Sequence, residues 1–272
     1  MIHPTAIVNP KAKLGNDVII GPYAIIEEEV EIGDRVQIAP HVHVRAWTTI
    51  GEDCRIHTGA VLGDIPQDLA FPDCRSYLRI GNENVIREYV TIHRGTAPES
   101  ETVVGDRNYL MGFSHVAHNC QIGNEVVLAN AVMLAGYVQV GDRAFLSGHV
   151  VVHQFVRIGR LTMISASARI GKDLPPFLIA RGTSEVWGVN IVGLRRANFP
   201  IEIRSRLRQA YRILYHSGLN TTQALQHLRQ NPPIPEIQEL IQFIESAKRG
   251  TCDGRNLCNK SELRDIATLD DS

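Results

Sequence analysis

The chain has 272 residues, room for one large domain or two modest ones, and its 28 Lys and Arg nearly balance 29 Asp and Glu. A net charge of −1 gives no support to nucleic-acid binding, and no apolar run approaches the roughly 20 residues that cross a bilayer. The opening Met-Ile-His-Pro lacks the basic and apolar segments of a secretory signal. The cysteines (Cys54, Cys74, Cys120, Cys252, Cys258) are odd in number and show no close metal-ligand pairs, so free thiols in a reducing cytoplasm are expected.

From Ile2 onward, every sixth residue is aliphatic: Val8, Leu14, Ile20, Ile26 and so on to Ile170. Of the 29 positions in this phase, 26 are Ile, Leu or Val, the exceptions being Asp68, Cys74 and Pro98. A period of six suits neither an amphipathic helix nor an alternating strand. It suits a short strand and a corner, repeated, with one aliphatic side chain per wall pointing into a shared interior. Three walls make an 18-residue triangular coil, and stacked coils make a solenoid. The fold expected is therefore mainly β, a left-handed parallel β-helix of hexapeptide repeats over 1–185. Glycine often follows the aliphatic residue, where it is expected to relieve backbone strain at a corner. The exceptions mark two excursions from the wall, 63–79 and 95–103, and such loops commonly carry binding residues.

After Asp173-Leu-Pro-Pro the rhythm stops, and a small α-helical domain is expected over 186–250. Helices are predicted over 201–215, from a cap at Thr221 or Thr222 to Leu228, and from Pro235 to about Lys248. Residues 251–272 read as a loose acidic tail. Charge is distributed unevenly: 1–60 carry a net −3, whereas 140–215 hold 12 Lys and Arg against 4 Asp and Glu, a net +8. The second region suits an acidic partner.

Residues 18 apart sit one rung apart at about 4.8 Å. His118 should therefore lie over Gly136, with Gln154 one rung further and His153 nearby. An imidazole beside an accessible backbone N–H suits acyl transfer: one takes a proton from a hydroxyl, the other binds the developing oxyanion. His3, His41, His43 and His57, in the acidic first half, read as surface residues. A zinc site of the carbonic-anhydrase β-helix type is the rival reading, but His115/His118 and His149/His153 match neither of its ligand spacings.

The stretch 113–124 (FSHVAHNCQIGN) combines with VTIHRGT at 90–96, LAG at 134–136, HQF at 153–155 and DLPPF at 173–177. Together they resemble the UDP-N-acetylglucosamine 3-O-acyltransferases, which catalyse the first acylation of lipid A synthesis. The resemblance implies a cytoplasmic homotrimer with active sites in clefts between neighbouring β-helices and no cofactor or metal. It also implies an (R)-3-hydroxyacyl donor on acyl carrier protein, an acidic partner for the basic 140–215 region through Arg157, Arg160 and Arg169. By the same resemblance His118 is the general base, the Gly136 amide the oxyanion donor, and Gln67 and Asp68 contact the sugar. His93, His115, His153 and Gln154 line the cleft, Asn190 and Arg196 meet the nucleotide, and Met163, Ser165 and Ala166 limit acyl length. The chain departs from the family at Ala70 (usually lysine), Asn119 (aspartate), Tyr137 (histidine), Val192 (acidic) and Ala197 (arginine). These changes leave N-acylation of a 3-amino sugar nucleotide open as an alternative.

Overall fold

A computed structural model describes residues 1–230 and 234–254. Its strands, mostly two residues long, stack into three parallel walls in which each strand pairs with its counterparts one coil away. The first wall has nine strands from Ile7–Val8 to Arg169–Ile170, the second eight from Lys13–Leu14 to Arg157–Ile158. The third has eleven, beginning at Ile19–Ile20. The result is the expected left-handed parallel β-helix. Its core is the hexad phase itself: between the excursions and beyond them, the inward aliphatics from Ile20 to Ile170 are buried. The residue four places on is buried too, and must be small because two walls converge there; Ala24, Val36, Ala60, Val132 and Ala144 are examples.

The glycines act differently from expectation. Left-handed backbone falls three residues past the inward aliphatic, at Asp17, Tyr23, Glu29 and onward to Ser167, and Gly59 is the one glycine in that series. Apart from Gly63, at the root of the first excursion, glycines directly after the aliphatic have ordinary φ. They serve close approach: a Cβ on Gly33 would lie 2.8 Å from the Glu52 nitrogen of the next coil, and one on Gly141 would lie 2.6 Å from that of Arg160. Most stack along the corner leading from the second wall to the third. There an Asn or Asp side chain from the following coil accepts the N–H of the residue after the glycine, as Asp34 does from Asn16 at 2.7 Å and Asp142 from Asn124 at 2.7 Å.

Both excursions are shorter than expected, 65–76 and 94–100. Their ends join the walls, since Tyr77–Ile80 pairs along its whole length with Glu101–Val104. The solenoid closes with a hairpin, Leu178–Arg181 against Glu185–Val189, added to the third wall, so a division at 185/186 falls inside a strand. Helices follow at Ile191–Arg196, Ile201–His216, Thr221–Gln230 and Pro235–Glu245. The first was not expected. The third is capped by Asn220, whose Oδ1 accepts from Gln223 N–H at 2.9 Å while Gln223 reaches back to the Asn220 N–H. The expected loose tail is corrected over 251–254, where Asp253–Gly254 pairs with Glu185 and Val186; the rest of it lies outside the described residues.

Two arginines expected to dock a carrier instead tie the helices to the solenoid. Arg157 pairs with the buried Asp173 at 2.8 Å, donates to the Phe243 carbonyl at 3.0 Å and lies 4.5 Å over its ring. Arg160 pairs with Glu239 at 2.8 Å and covers the buried Phe177. Removing one partner of a buried pair strands the other charge. Arg157→Ala should therefore cost about 3 kcal/mol or more of stability, read as a lowered denaturation midpoint, whereas loss of a docking contact alone would leave it unchanged.

Candidate active site

The corner between the first and second walls carries the convergent polar groups. Both excursions leave the solenoid there, after Val61–Asp64 and Thr91–His93, and the coils below turn the same corner after His115–Val116, Met133–Leu134 and Val151–Val152. His118 is partly buried and faces outward from the prism. Its ring sits directly against Gly136: a Cβ there would overlap the imidazole and lie 2.6 Å from Nε2. The next rung is fixed beneath it, because Tyr137 N–H donates to the His118 carbonyl at 3.0 Å.

The corner leaves the Gly136 amide without an internal partner. Two residues past each inward aliphatic, outside the excursions, the N–H takes no part in the backbone ladders. Prolines occupy this place at Pro4, Pro10, Pro22 and Pro40; at Asn16, Ala46, Glu52, Asn82, Asp106 and Asn124 a side-chain oxygen accepts the proton. Among the described residues no group accepts from Gly136 N–H. A buried amide left in this state is a donor available to a ligand.

The imidazole is held on its other side. Nδ1 of His118 lies 3.0 Å from Oδ1 of Asn119, and that oxygen also accepts the Thr96 N–H at 3.0 Å. Tyr137 meets the His118 ring edge-on at 5.3 Å and stacks on Phe155 at 4.9 Å. On the first wall, His115 bonds Thr91 Oγ1 at 2.7 Å and meets His93 edge-on at 4.9 Å. Burial, then the charge of His115, pushes His93 down to about 4; burial and His118 lower His115 as well. Nδ1 of His93 has no partner among the described residues.

Gln67 and Asp68 project from the first excursion, and Asp68 Oδ2 accepts from Thr96 Oγ1 at 3.3 Å. That loop is pinned by Arg94, which is buried with its guanidinium 4.9 Å from the Trp47 ring and 5.5 Å from that of Phe71. Sequence reasoning missed Arg94 and Thr96, because both lie on an excursion where the period that located His118 is suspended. His153 is exposed one rung below Gly136, beside Gln154. A groove of about 750 Å³ starts at Asn119 and Tyr137 and crosses Gln121 and Gln139 to Arg157, Lys248 and Arg249.

Other expected residues lie elsewhere in the single chain. Asn190 is buried, its Oδ1 capping the short helix through Gly193 N–H at 3.0 Å and its amide donating to the Leu161 carbonyl at 2.8 Å. Arg196 is exposed at the end of that helix. Met163 stands on the third wall, with Ser165 and Ala166 at the corner leading back to the first. Among the described residues no group of three or more His, Cys, Asp or Glu is placed to hold a metal ion.

Residues 173–252 match the family model described as UDP-N-acetylglucosamine O-acyltransferase, domain 2, and 29–64 and 101–136 match the bacterial transferase hexapeptide model. An acyl-[acyl-carrier-protein]–UDP-N-acetylglucosamine O-acyltransferase of Burkholderia orbicola is 46% identical over 256 residues, covering 92% of this chain and 98% of its own. The chain belongs to that family. The corresponding protein of Thermodesulfovibrio yellowstonii is 44% identical over 254 residues, with the same coverage. A solved UDP-N-acetylglucosamine acyltransferase from Bacteroides fragilis superposes with a TM-score of 0.89 at 42% identity, over 92% of this chain and 99% of that one.

The buried histidine makes stability depend on pH. Unfolded, His93 titrates near its ordinary 6.5; folded, near 4. Between those values the unfolded chain takes up a proton that the folded chain refuses, so stability falls as pH drops from about 6.5 to about 4. Urea midpoints measured across that window should fall less steeply in His93→Phe than in the unchanged protein, leaving the part due to His115.

Proposed function

We propose that this chain carries out its family's acyl transfer with His118 as general base and the Gly136 N–H as oxyanion donor. The observation that carries the reading is that Gly136, whose N–H has no partner among the described residues, packs directly against the imidazole. His118 Nε2 takes the proton of the 3-hydroxyl of UDP-N-acetylglucosamine as its oxygen attacks the thioester carbonyl of acyl carrier protein. The carbonyl oxygen gains charge and accepts from Gly136 N–H. Collapse breaks the C–S bond, the imidazolium returns the proton to the leaving thiolate, and the products are the 3-O-acyl sugar nucleotide and the free carrier thiol.

Gln67 and Asp68 hold the sugar from the pinned excursion. His93 and His115, kept neutral by burial, serve as uncharged hydrogen-bonding groups beside it. From His115 the outward column of the first wall continues through Met133 and Val151 to Arg169. Met133 and Val151 are exposed, giving a (R)-3-hydroxyacyl chain an apolar path of about 14 Å over three rungs. Ser165 and Ala166 stand at the corner beside the end of that path, with Met163 on the adjoining wall, where bulk would limit acyl length.

A homotrimer reconciles the scattered residues. Tyr23, Tyr89 and Phe113 stand exposed along the corner between the third and first walls, an apolar edge suited to a second copy. Arg196, exposed at the end of its helix, would then meet the nucleotide in a neighbour's cleft, with Asn190 acting from within by fixing that helix. Arg169 and Lys248 remain to face the acidic carrier, since Arg157 and Arg160 are engaged internally and Arg249 bonds the Gly171 carbonyl and His153. We place the protein in the cytoplasm. A reducing compartment suits its described cysteines, Cys54, Cys74, Cys120 and Cys252, which are all free thiols.

His118→Ala should lose on the order of 10²–10⁴-fold in kcat, and a variant with full activity would overturn the assignment. Product mass spectrometry with the hydroxyl and 3-amino acceptors in competition should show the O-acyl product; a dominant amide would favour N-acylation. Charge reversal at Arg169 or Lys248 should raise KM for the carrier, more at low salt, with kcat little changed.

A further inference from the structure

Asn119 stands where a carboxylate would orient the imidazole, and its neighbours determine how a neutral amide can do so. An asparagine side chain has one accepting end and one donating end. The Thr96 N–H, a backbone donor that cannot be reversed, lies 3.0 Å from Oδ1, so the accepting end must face it. The same oxygen is 3.0 Å from His118 Nδ1. Contact between them is favourable only if Nδ1 carries the proton, which leaves the lone pair on Nε2, the nitrogen packed against Gly136. Asn119 is itself anchored at both ends. Its N–H donates to Thr102 Oγ1 at 2.7 Å, and its left-handed backbone, φ 59°, is one that asparagine adopts readily. Thr96 is steadied in turn by Asp68 through its hydroxyl.

We infer that Asn119, locked by the Thr96 amide, is the positioning residue that fixes His118 as its Nδ1–H tautomer and so makes Nε2 the base. This rests on His118 being the base. It goes further by assigning roles to Asn119 and Thr96, and by explaining how the site works without a carboxylate next to the imidazole. The other titratable groups facing the ring are His115 beside it, His93 one rung above, Tyr137 one rung below, Asp68 across Thr96, and Glu101, which is paired with Arg79 at 2.8 Å. Among the described residues none of these hydrogen-bonds the imidazole; Asn119 does.

The lock can be read directly. In the full-length protein labelled with ¹⁵N-histidine, long-range ¹H–¹⁵N correlation, assigned by loss of the His118 signals in His118→Ala, should show a protonated Nδ1 and an unprotonated Nε2 above the titration of the ring. The opposite tautomer overturns the inference. Two variants test its consequence, and both suit the backbone, since Asp17, Asp53 and Leu161 hold the same corner conformation. Asn119→Asp keeps both contacts and adds a charge beside Nδ1, so the acidic limb of kcat/KM should move up by about 1–3 pH units. Asn119→Leu removes the acceptor; kcat should fall about tenfold or more, with acceptor KM held within about twofold and the single tautomer lost from the spectrum. An unmoved acidic limb in the first variant, or an unchanged kcat in the second, overturns the inference. An Nδ1–H spectrum together with a fully active His118→Ala would uphold the lock and overturn only the assignment of the base.

Discussion

Backbone hydrogen bonds in this solenoid run between coils, parallel to its axis. What holds the three walls of one coil at their angles is the packing of inward side chains and the conformation of the corners. Outside the excursions every such corner but that of Gly59 places a non-glycine residue in the left-handed region, at a cost of about 1 kcal/mol or more per residue. Repeated from Asp17 to Ser167, that cost is of the same order as the gain from burying one Ile, Leu or Val per wall. The fold therefore tolerates little error in the hexad phase, and the same severity gives the site its precision. A corner whose φ is fixed by packing above and below does not drift, so His118 and Gly136 meet at van der Waals range without any loop having to close.

The chemistry is placed where this rigid corner meets its two irregular insertions. The solenoid contributes the base and the free amide; the excursions contribute Asp68, Thr96 and the Arg94 clamp. Each part is incomplete alone. The corner's own Asn119 could turn either end of its amide to the imidazole until Thr96 fixes it, and the loops are held to the solenoid by Arg94, packed between Trp47 and Phe71. Thr96 joins the two, with its hydroxyl on the acceptor loop and its amide on the side chain that steers the base.

The solenoid could be read from the hexad because one inward residue per wall is a strict steric demand, and the rung relation of His118 to Gly136 followed from 18-residue spacing. What escaped the sequence is what the period does not encode. A glycine after the aliphatic suggests a strained corner, whereas its task is to let the next coil's backbone approach. Arg157 and Arg160 entered a charge count as docking residues, but a count does not register that Asp173 and Glu239 await them. The helix Ile191–Arg196 is too short to show a helical pattern, and Asn220 precedes the threonines that seemed the natural cap. Thr96 acts through its backbone N–H, which its residue type does not announce.

The spare corner N–H is a property of the architecture and recurs in coil after coil, as the prolines at equivalent places attest. Catalysis on such a scaffold is modular along the axis: a histidine one coil above any glycine at that place would recreate the same pair of groups. Moving the pair by a single coil would leave its chemistry intact while lengthening or shortening the apolar run below it by about 4.8 Å. Product chain length could thus change through the address of the active site, with no residue of the binding surface redesigned.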